Sequence, residues 1–298
     1  MLKMEKVKTT INIDEELWKK FSHLVIEEKG YRKKNEVIEN LIREYTEKKT
    51  KTDKEEINKA IILAAGMGTR LRPLTEDVCQ CLLKINSETI LEHQIKNLQE
   101  CGIEDITIVT GYKSDKIREF CEENSWDVNF IHNNHYSKSN NLHTLWLARD
   151  HFDEGFVCLN SDVVFDSEIL RSLLKAEGEV CLAVDKKECK EEDMKVKVED
   201  GVTKISKRLK PEEVYGEFIG ISKFSERGAK KLNRVLSEMP ADLRKKGYVA
   251  LGIQRLIDEG YKVFKVEIQR KFWKDIDFVE DFNEVRAQLS SRPSILNY

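Results

Sequence analysis

Ala60-Ile61-Ile62-Leu63-Ala64-Ala65-Gly66-Met67-Gly68-Thr69-Arg70 opens a stretch that runs to Ile85 (AIILAAGMGTRLRPLTEDVCQCLLKI). A short apolar run bounded by glycine suits a strand buried on both faces of a parallel sheet. Gly66 and Gly68 let the backbone turn sharply and leave amide N–H groups free to face phosphate oxygens. Arg70 adds a planar cationic fork suited to a polyphosphate. The pattern therefore predicts a phosphate-binding turn, built from Leu63, Ala64, Ala65, Gly66, Met67, Gly68 and Thr69, at the end of a central strand.

Two commoner phosphate motifs are excluded. The dinucleotide fingerprint needs a third glycine where Leu71 stands, and the P-loop ending Gly-Lys-Ser/Thr is absent. The longer string, with Leu-Ala-Ala before the glycines and Thr-Arg-Leu-Arg-Pro-Leu-Thr after them, closely resembles the signature of nucleotidyltransferases. These enzymes join an NTP to a phosphorylated small molecule and release pyrophosphate. The resemblance implies a Rossmann-like α/β fold and a nucleotide over residues 63–69. The family continues with Pro-Lys before an apolar stretch, whereas this chain has Cys79-Gln80-Cys81-Leu82-Leu83-Lys84-Ile85. Gln80 thus occupies the place of the lysine that meets the α-phosphate. A neutral amide donates a hydrogen bond but does not offset developing charge. Loss of one such donor costs roughly a hundred- to a thousandfold in rate. Were this piece a strand, Lys84 would stand about 13 Å from Gln80, at ~3.3 Å per residue, too far to replace that lysine.

The chain has 298 residues, 35% charged and 40% hydrophobic, with a net charge of −3. That suits a soluble globular protein of one large and one small domain and argues against a surface that coats nucleic acid. The high Lys and Glu content fits a heat-tolerant source. No apolar run approaches the ~20 residues of a membrane span, and the charged N-terminus has no signal-peptide core. Seven cysteines with no C-x-x-C pair suggest reduced thiols and a cytoplasmic location.

Residues 1–48 read as a separate β-α-α module. Val7, Thr9, Ile11 and Ile13 alternate with Lys6, Lys8, Thr10 and Asn12, which is strand periodicity. Asp14 suits an N-cap for a helix ended by Gly30, and Asn35 is expected to cap a second helix with Val37, Ile38, Leu41, Ile42 and Tyr45 inward. This module resembles the ribbon-helix-helix family, which implies an intertwined homodimer whose Lys8, Thr10 and Asn12 face DNA. Residues 1–56 hold 14 Lys+Arg and 13 Asp+Glu, a small positive balance for DNA binding. DNA binding and dimerisation alone both stay open. Residues 49–57 read as a linker, and residues 58–298 alternate strands and helices, the pattern of a mostly parallel central sheet with flanking helices.

Within that domain Asp162 lies just past a buried strand, where open α/β sheets place ligands, and a carboxylate there suits Mg²⁺ on NTP phosphates. The polar cluster Asn133–Tyr136 and Ser139–Trp146 leads into a helix, and Asn141 is the candidate there for reading a base or substrate edge. This cluster resembles the subgroup that transfers CMP to phosphocholine-like or phosphonate acceptors. The strings Met194-Lys195-Val196, Ile205-Ser206-Lys207 and Gly216-Glu217-Phe218-Ile219-Gly220-Ile221 match the same subgroup. The resemblance implies CTP as the nucleotide, Lys195 or Lys207 near phosphates, Glu217 beside a cationic head group, and Asp277 as the second metal ligand with Asp275 as its fallback. Asp277 and Glu280 also have the spacing of a helix capping box. Trp273 suits either core packing or stacking on an acceptor cation. Two functions follow as expectations. The first is a Mg²⁺-dependent transferase slowed or altered by Gln80. The second is a ligand-gated DNA-binding regulator that keeps the pocket without turnover.

Overall fold

The computed structural model describes residues 10, 12–30, 33–42, 56–268 and 270–290. The chain divides into two compact units, Met1–Glu55 and Glu56–Tyr298.

In the first unit, α1 (Glu15–Lys29) starts at Asp14, whose carboxylate accepts the Leu17 N–H at 2.9 Å, and stops at Gly30 with φ of 90°. α2 covers residues 34–42. Its first helical bond runs from the Val37 N–H to the Lys33 carbonyl, so Lys33 rather than Asn35 holds the cap position. Asn35 is the second residue of the helix, which begins two residues earlier than its capping preference suggests. Leu41 and Ile42 are half exposed, and Tyr45 lies outside the described residues. The two helices bound an apolar groove of about 410 Å³ that Leu17, Trp18, Phe21 and Ile38 help to line. Thr10 and Asn12 are exposed and belong to no strand; Lys8 lies outside the described residues.

In the second unit, β1 (Lys59–Ala64) is buried at all six positions. Its alternation divides two cores. Ala60, Ile62 and Ala64 pack on one face of the sheet, and Ile61 and Leu63 on the other. β4 (Asp105–Thr110) and β6 (Phe156–Asn160) flank β1 in parallel register. The main sheet runs β10-β9-β11-β6-β1-β4-β5, with β5 (Asn129–His132), β9 (Lys195–Glu199), β10 (Gly201–Ser206) and β11 (Gly216–Phe224). β8 (Val180–Asp185) adds to β11, and β12 (Phe264–Glu267) to β8. The parallel β5-β4-β1-β6 portion and its antiparallel extension make the mixed α/β sheet, mostly parallel at its centre.

α3 (Ile90–Glu100) follows a short β2 (Lys84–Ile85) and β3 (Glu88–Thr89) hairpin. Its start is fixed by a capping box between Thr89 and Glu92. With α4 (Ser114–Glu123) and α6 (Ser167–Lys175) it covers one face. α5 (Asn141–Leu147), α7 (Glu226–Glu238), α8 (Ala241–Lys246) and α9 (Val249–Asp258) lie on the other side, where α5, α7 and α9 feed the second core. Gln80–Leu82 forms a 3₁₀ turn, not the strand considered above, because Leu82 and Leu83 N–H groups close onto Cys79 and Gln80 carbonyls. That turn buries Cys79 and Cys81 side by side, their Sγ atoms 3.8 Å apart.

A separate two-stranded ribbon matters most for function. β7 (Val163–Phe165) pairs antiparallel with β13 (Trp273–Asp275), placing Asp275 opposite Val163. The ribbon leads into α10 (Val279–Ser290), whose Phe282, Val285 and Leu289 join a third small core with Leu71 and Ile90. The Asp277–Glu280 capping box does not form. Instead the Phe278 N–H donates to Asp281 at 2.9 Å, which leaves the Asp277 carboxylate to turn inward.

Candidate active site

Parallel register brings the site together. Leu63 stands beside Asn160, so the loop after β1 and the Asn160-Ser161-Asp162 turn after β6 emerge at one edge of the sheet. Gly68 has φ of 57°, and a Cβ there would meet Gln80 Oε1 and Thr75 Cγ2, both at 3.1 Å. Thr75 locks this turn by donating to the Gly68 carbonyl at 2.7 Å. A Cβ on Gly66 would meet nothing within 4 Å, so its backbone borders open space that a ligand can approach closely.

That space is a cavity of about 180 Å³. Leu63, Ala64, Ala65 and Gly66 line it together with Gln80 and Asn141, and Asp162 closes one side. Met67, Gly68 and Thr69 shape the loop without lining the cavity. Asn141 is held from both ends of its amide: Nδ2 donates to Asn160 Oδ1 at 3.0 Å, and Oδ1 accepts the Val249 N–H at 3.0 Å. It therefore fixes the cavity wall as much as it presents polar atoms. Gln80 donates through Nε2 to the Ile276 carbonyl at 2.6 Å, tying the β1 side of the site to the residue before Asp277.

An adjoining cavity of about 150 Å³ is lined by Arg70, Asp162, Lys207, Glu217, Asp275 and Asp277 among others. Arg70 Nη2 bonds Asp277 Oδ1 at 2.5 Å, and its guanidinium lies over the Phe278 ring. Burial, then the charges of Asp277 and Asp275, push the Asp162 carboxyl up to about 7, against the pull of Arg70. Burial also raises Asp277 and Asp275, with Arg70 and Lys207 opposing the rise at Asp277. Asp162, Asp275 and Asp277 thus set three carboxyls that resist ionisation around one polar cavity. Among the described residues no group of three or more Asp, Glu, His or Cys side chains is placed to hold a metal ion. Magnesium is commonly held by one or two carboxylates plus substrate phosphates, and this open arrangement is compatible with that.

The two lysines of interest part company. Lys207 lines the acidic cavity, its ammonium over the Tyr248 ring. Lys195 does not reach it. Its Nζ donates to the main-chain carbonyls of Glu191, Asp193 and Lys207 at 2.8, 3.4 and 3.0 Å, and the residue is only 7% exposed. A buried ammonium needs its donors satisfied, so Lys195 holds the turn before β9 instead of a substrate. Glu217 does line the cavity, yet Lys187 Nζ lies 2.6 Å from its Oε2. Burial still raises the Glu217 carboxyl to about 7, opposed by Lys187. Lys187 was not legible in sequence, where it is one charge in a polar turn. Asn160 had a faint signal as part of the string ending in Asp162.

Comparison with known proteins agrees with this geometry. Residues 59–196 match the family model described as nucleotidyl transferase. A CTP:phosphoglutamine cytidylyltransferase of Campylobacter jejuni is 28% identical over 247 residues, covering 74% of this chain and 96% of that enzyme. A choline-phosphate cytidylyltransferase of Streptococcus pneumoniae is 35% identical over 118 residues, covering 40% of this chain and about half (51%) of that one. Among solved structures, the inositol-1-phosphate CTP transferase from T. maritima superposes with a TM-score of 0.68 at 22% identity. The superposition covers 80% of this chain and 98% of that one, a likeness of fold.

Proposed function

We propose, for a chain whose residues 59–196 match the nucleotidyl transferase family model, that its α/β unit joins CTP to a small phosphorylated or phosphonate acceptor and releases pyrophosphate. The observation that carries this reading is the meeting of the glycine loop after β1 with partly buried aspartates in two adjoining cavities. The choice of CTP rests on the relatives, two of which are named for cytidylyl transfer.

In this reading the nucleotide lies along Leu63–Gly66 with its base end toward Asn141, and its phosphates pass Gln80 toward Arg70. An oxygen of the acceptor's phosphate forms the new bond to the α-phosphorus as the bond to the β-phosphate oxygen breaks. The nucleophile is already ionised, so no side chain needs to take a proton. The chain's contribution is positioning and charge balance. Arg70 is pre-placed by Asp277, so it meets the polyphosphate without a search through rotamers. Asp162 and Asp277 would hold Mg²⁺, which supplies charge neutralisation on the phosphates when bound. Gln80 offers one neutral donor where the family has a lysine, and Lys207, which lines the adjoining cavity with Arg70, would meet the remaining charge.

The apolar groove of the first unit supports pairing of two copies through residues 1–48, giving a homodimer. Neither the described residues nor the relatives favour the regulator reading, and the DNA contacts expected at Thr10 and Asn12 rest on exposure alone. No helix among the described residues is long and apolar enough to cross a membrane. The test is pyrophosphate release with Mg²⁺ across four NTPs and a panel of phosphorylated acceptors. Turnover with CTP that disappears in Asp162→Asn is expected. Absence of turnover together with absence of nucleotide binding would refute the assignment.

A further inference from the structure

Glu217 sits on β11 opposite Asp185, the last residue of β8. Its side chain faces the cavity that also holds Arg70, Asp162 and Asp277, so it borders the space an acceptor occupies on the proposed reading. Trp273 and Lys187 line a neighbouring cavity that shares Asp275 and Asp277 with this one, and the Trp273 ring is fixed there because Nε1 donates to Asp185 Oδ2 at 3.0 Å. A buried carboxylate beside a fixed aromatic face is a receptor for an ammonium group.

In this chain the receptor is filled by the protein itself. The Lys187 ammonium is 2.6 Å from Glu217 Oε2 and 3.6 Å from Asp193 Oδ2. It also lies over the Trp273 ring, 5.1 Å from its centre. Glu217 is 4% exposed, and an ionised carboxylate that deep is costly without a cation, which ties Lys187 to the position. A second cation cannot share the site, since two ammonium groups would compete for one buried carboxylate. What the ion pair offers instead is whatever N–H of this ammonium Glu217 and Asp193 leave over, a partner for a hydroxyl or amide-carbonyl oxygen.

We infer that Lys187 is a specificity-determining residue that rejects acceptors with an ammonium tail and selects phosphorylated acceptors with an uncharged tail rich in hydroxyl or amide groups. This rests on the nucleotidyl transfer reading. It runs against the sequence expectation that Glu217 receives a cationic head group.

The test compares wild type, Lys187→Ala and Lys187→Arg. Binding is measured by calorimetry with Mg²⁺ and a non-hydrolysable CTP analogue, and kcat/KM is measured with CTP. The probes are phosphocholine and 2-aminoethylphosphonate as cationic tails and inositol 1-phosphate as an uncharged one. Wild type is expected to favour inositol 1-phosphate. Lys187→Ala is expected to shift the ratio toward the cationic probes by at least about tenfold, the scale of a desolvated charge contact. Lys187→Arg keeps the positive charge and is expected to restore the wild-type ratio, which a purely structural role would not do. A wild-type preference for phosphocholine, or a ratio unchanged in Lys187→Ala, overturns the inference while leaving the transferase reading intact if the analogue binds. Failure of the analogue to bind refutes the transferase reading instead. The acceptor titrations without nucleotide then decide on Lys187, and absence of any acceptor binding overturns both.

Discussion

Replacing Asp162 by Asn is expected to make the protein more stable at pH 8 while abolishing its activity. The carboxyl sits among Asp275 and Asp277, and burial with those two charges lifts it from 3.8 to about 7. A carboxyl raised on folding contributes stability below about pH 4, and that contribution is lost as pH rises through about 7. The wild-type protein therefore carries the full cost of an ionised Asp162 only above neutrality. The distance between the two values corresponds to about 4 kcal/mol, an upper bound. Relaxation of the neighbouring aspartates and water entry are expected to leave about 2 kcal/mol. For a unit of this size that is roughly 4–8 °C in Tm. The assay is thermal unfolding of wild type and Asp162→Asn from pH 4 to pH 8 in the presence of chelator. The gap should be small at pH 4, open between pH 5 and 7, and narrow again when Mg²⁺ is added, because only the carboxylate supplies an anionic ligand. An Asn variant no more stable than wild type at pH 8, or a gap independent of pH, would refute the electrostatic reasoning.

Gln80→Lys should raise kcat by up to roughly a hundredfold, because it places an ammonium at a position now held by an amide donating to the Ile276 carbonyl. Equal kcat in the two proteins would mean that another cation already fills that role. Gly68→Ala forces a Cβ into a left-handed turn against Gln80 and Thr75, and is expected to cost about 1–3 kcal/mol in urea unfolding and to weaken CTP binding. Arg70→Ala should raise KM for the nucleotide more than it lowers expression, since Arg70 is half exposed and its one strong partner is Asp277. Leu17→Glu in the apolar groove of the first unit should convert a dimer to a monomer by light scattering; an unchanged mass would remove that groove as the contact.

What the sequence determined was local. Six apolar residues in a row, ended by two glycines, specify a doubly buried strand and a sharp turn, because burial period and φ freedom are properties of a few adjacent residues. Asp14 likewise announces a helix start, because a cap is made within one turn. What only the tertiary structure decided was convergence. Asp275 and Asp277 reach Asp162 because β13 pairs with β7 and the Ile276 N–H meets the Asp162 carbonyl, a register between segments over a hundred residues apart. The same packing chose Asp281 over Glu280 as the residue that reaches back to the start of α10, and so turned Asp277 into the cavity. It sent Lys195 to main-chain carbonyls and brought Lys187 onto Glu217. Charged residues in polar turns look alike in a sequence, since their roles depend on which buried partner comes within about 3 Å after folding.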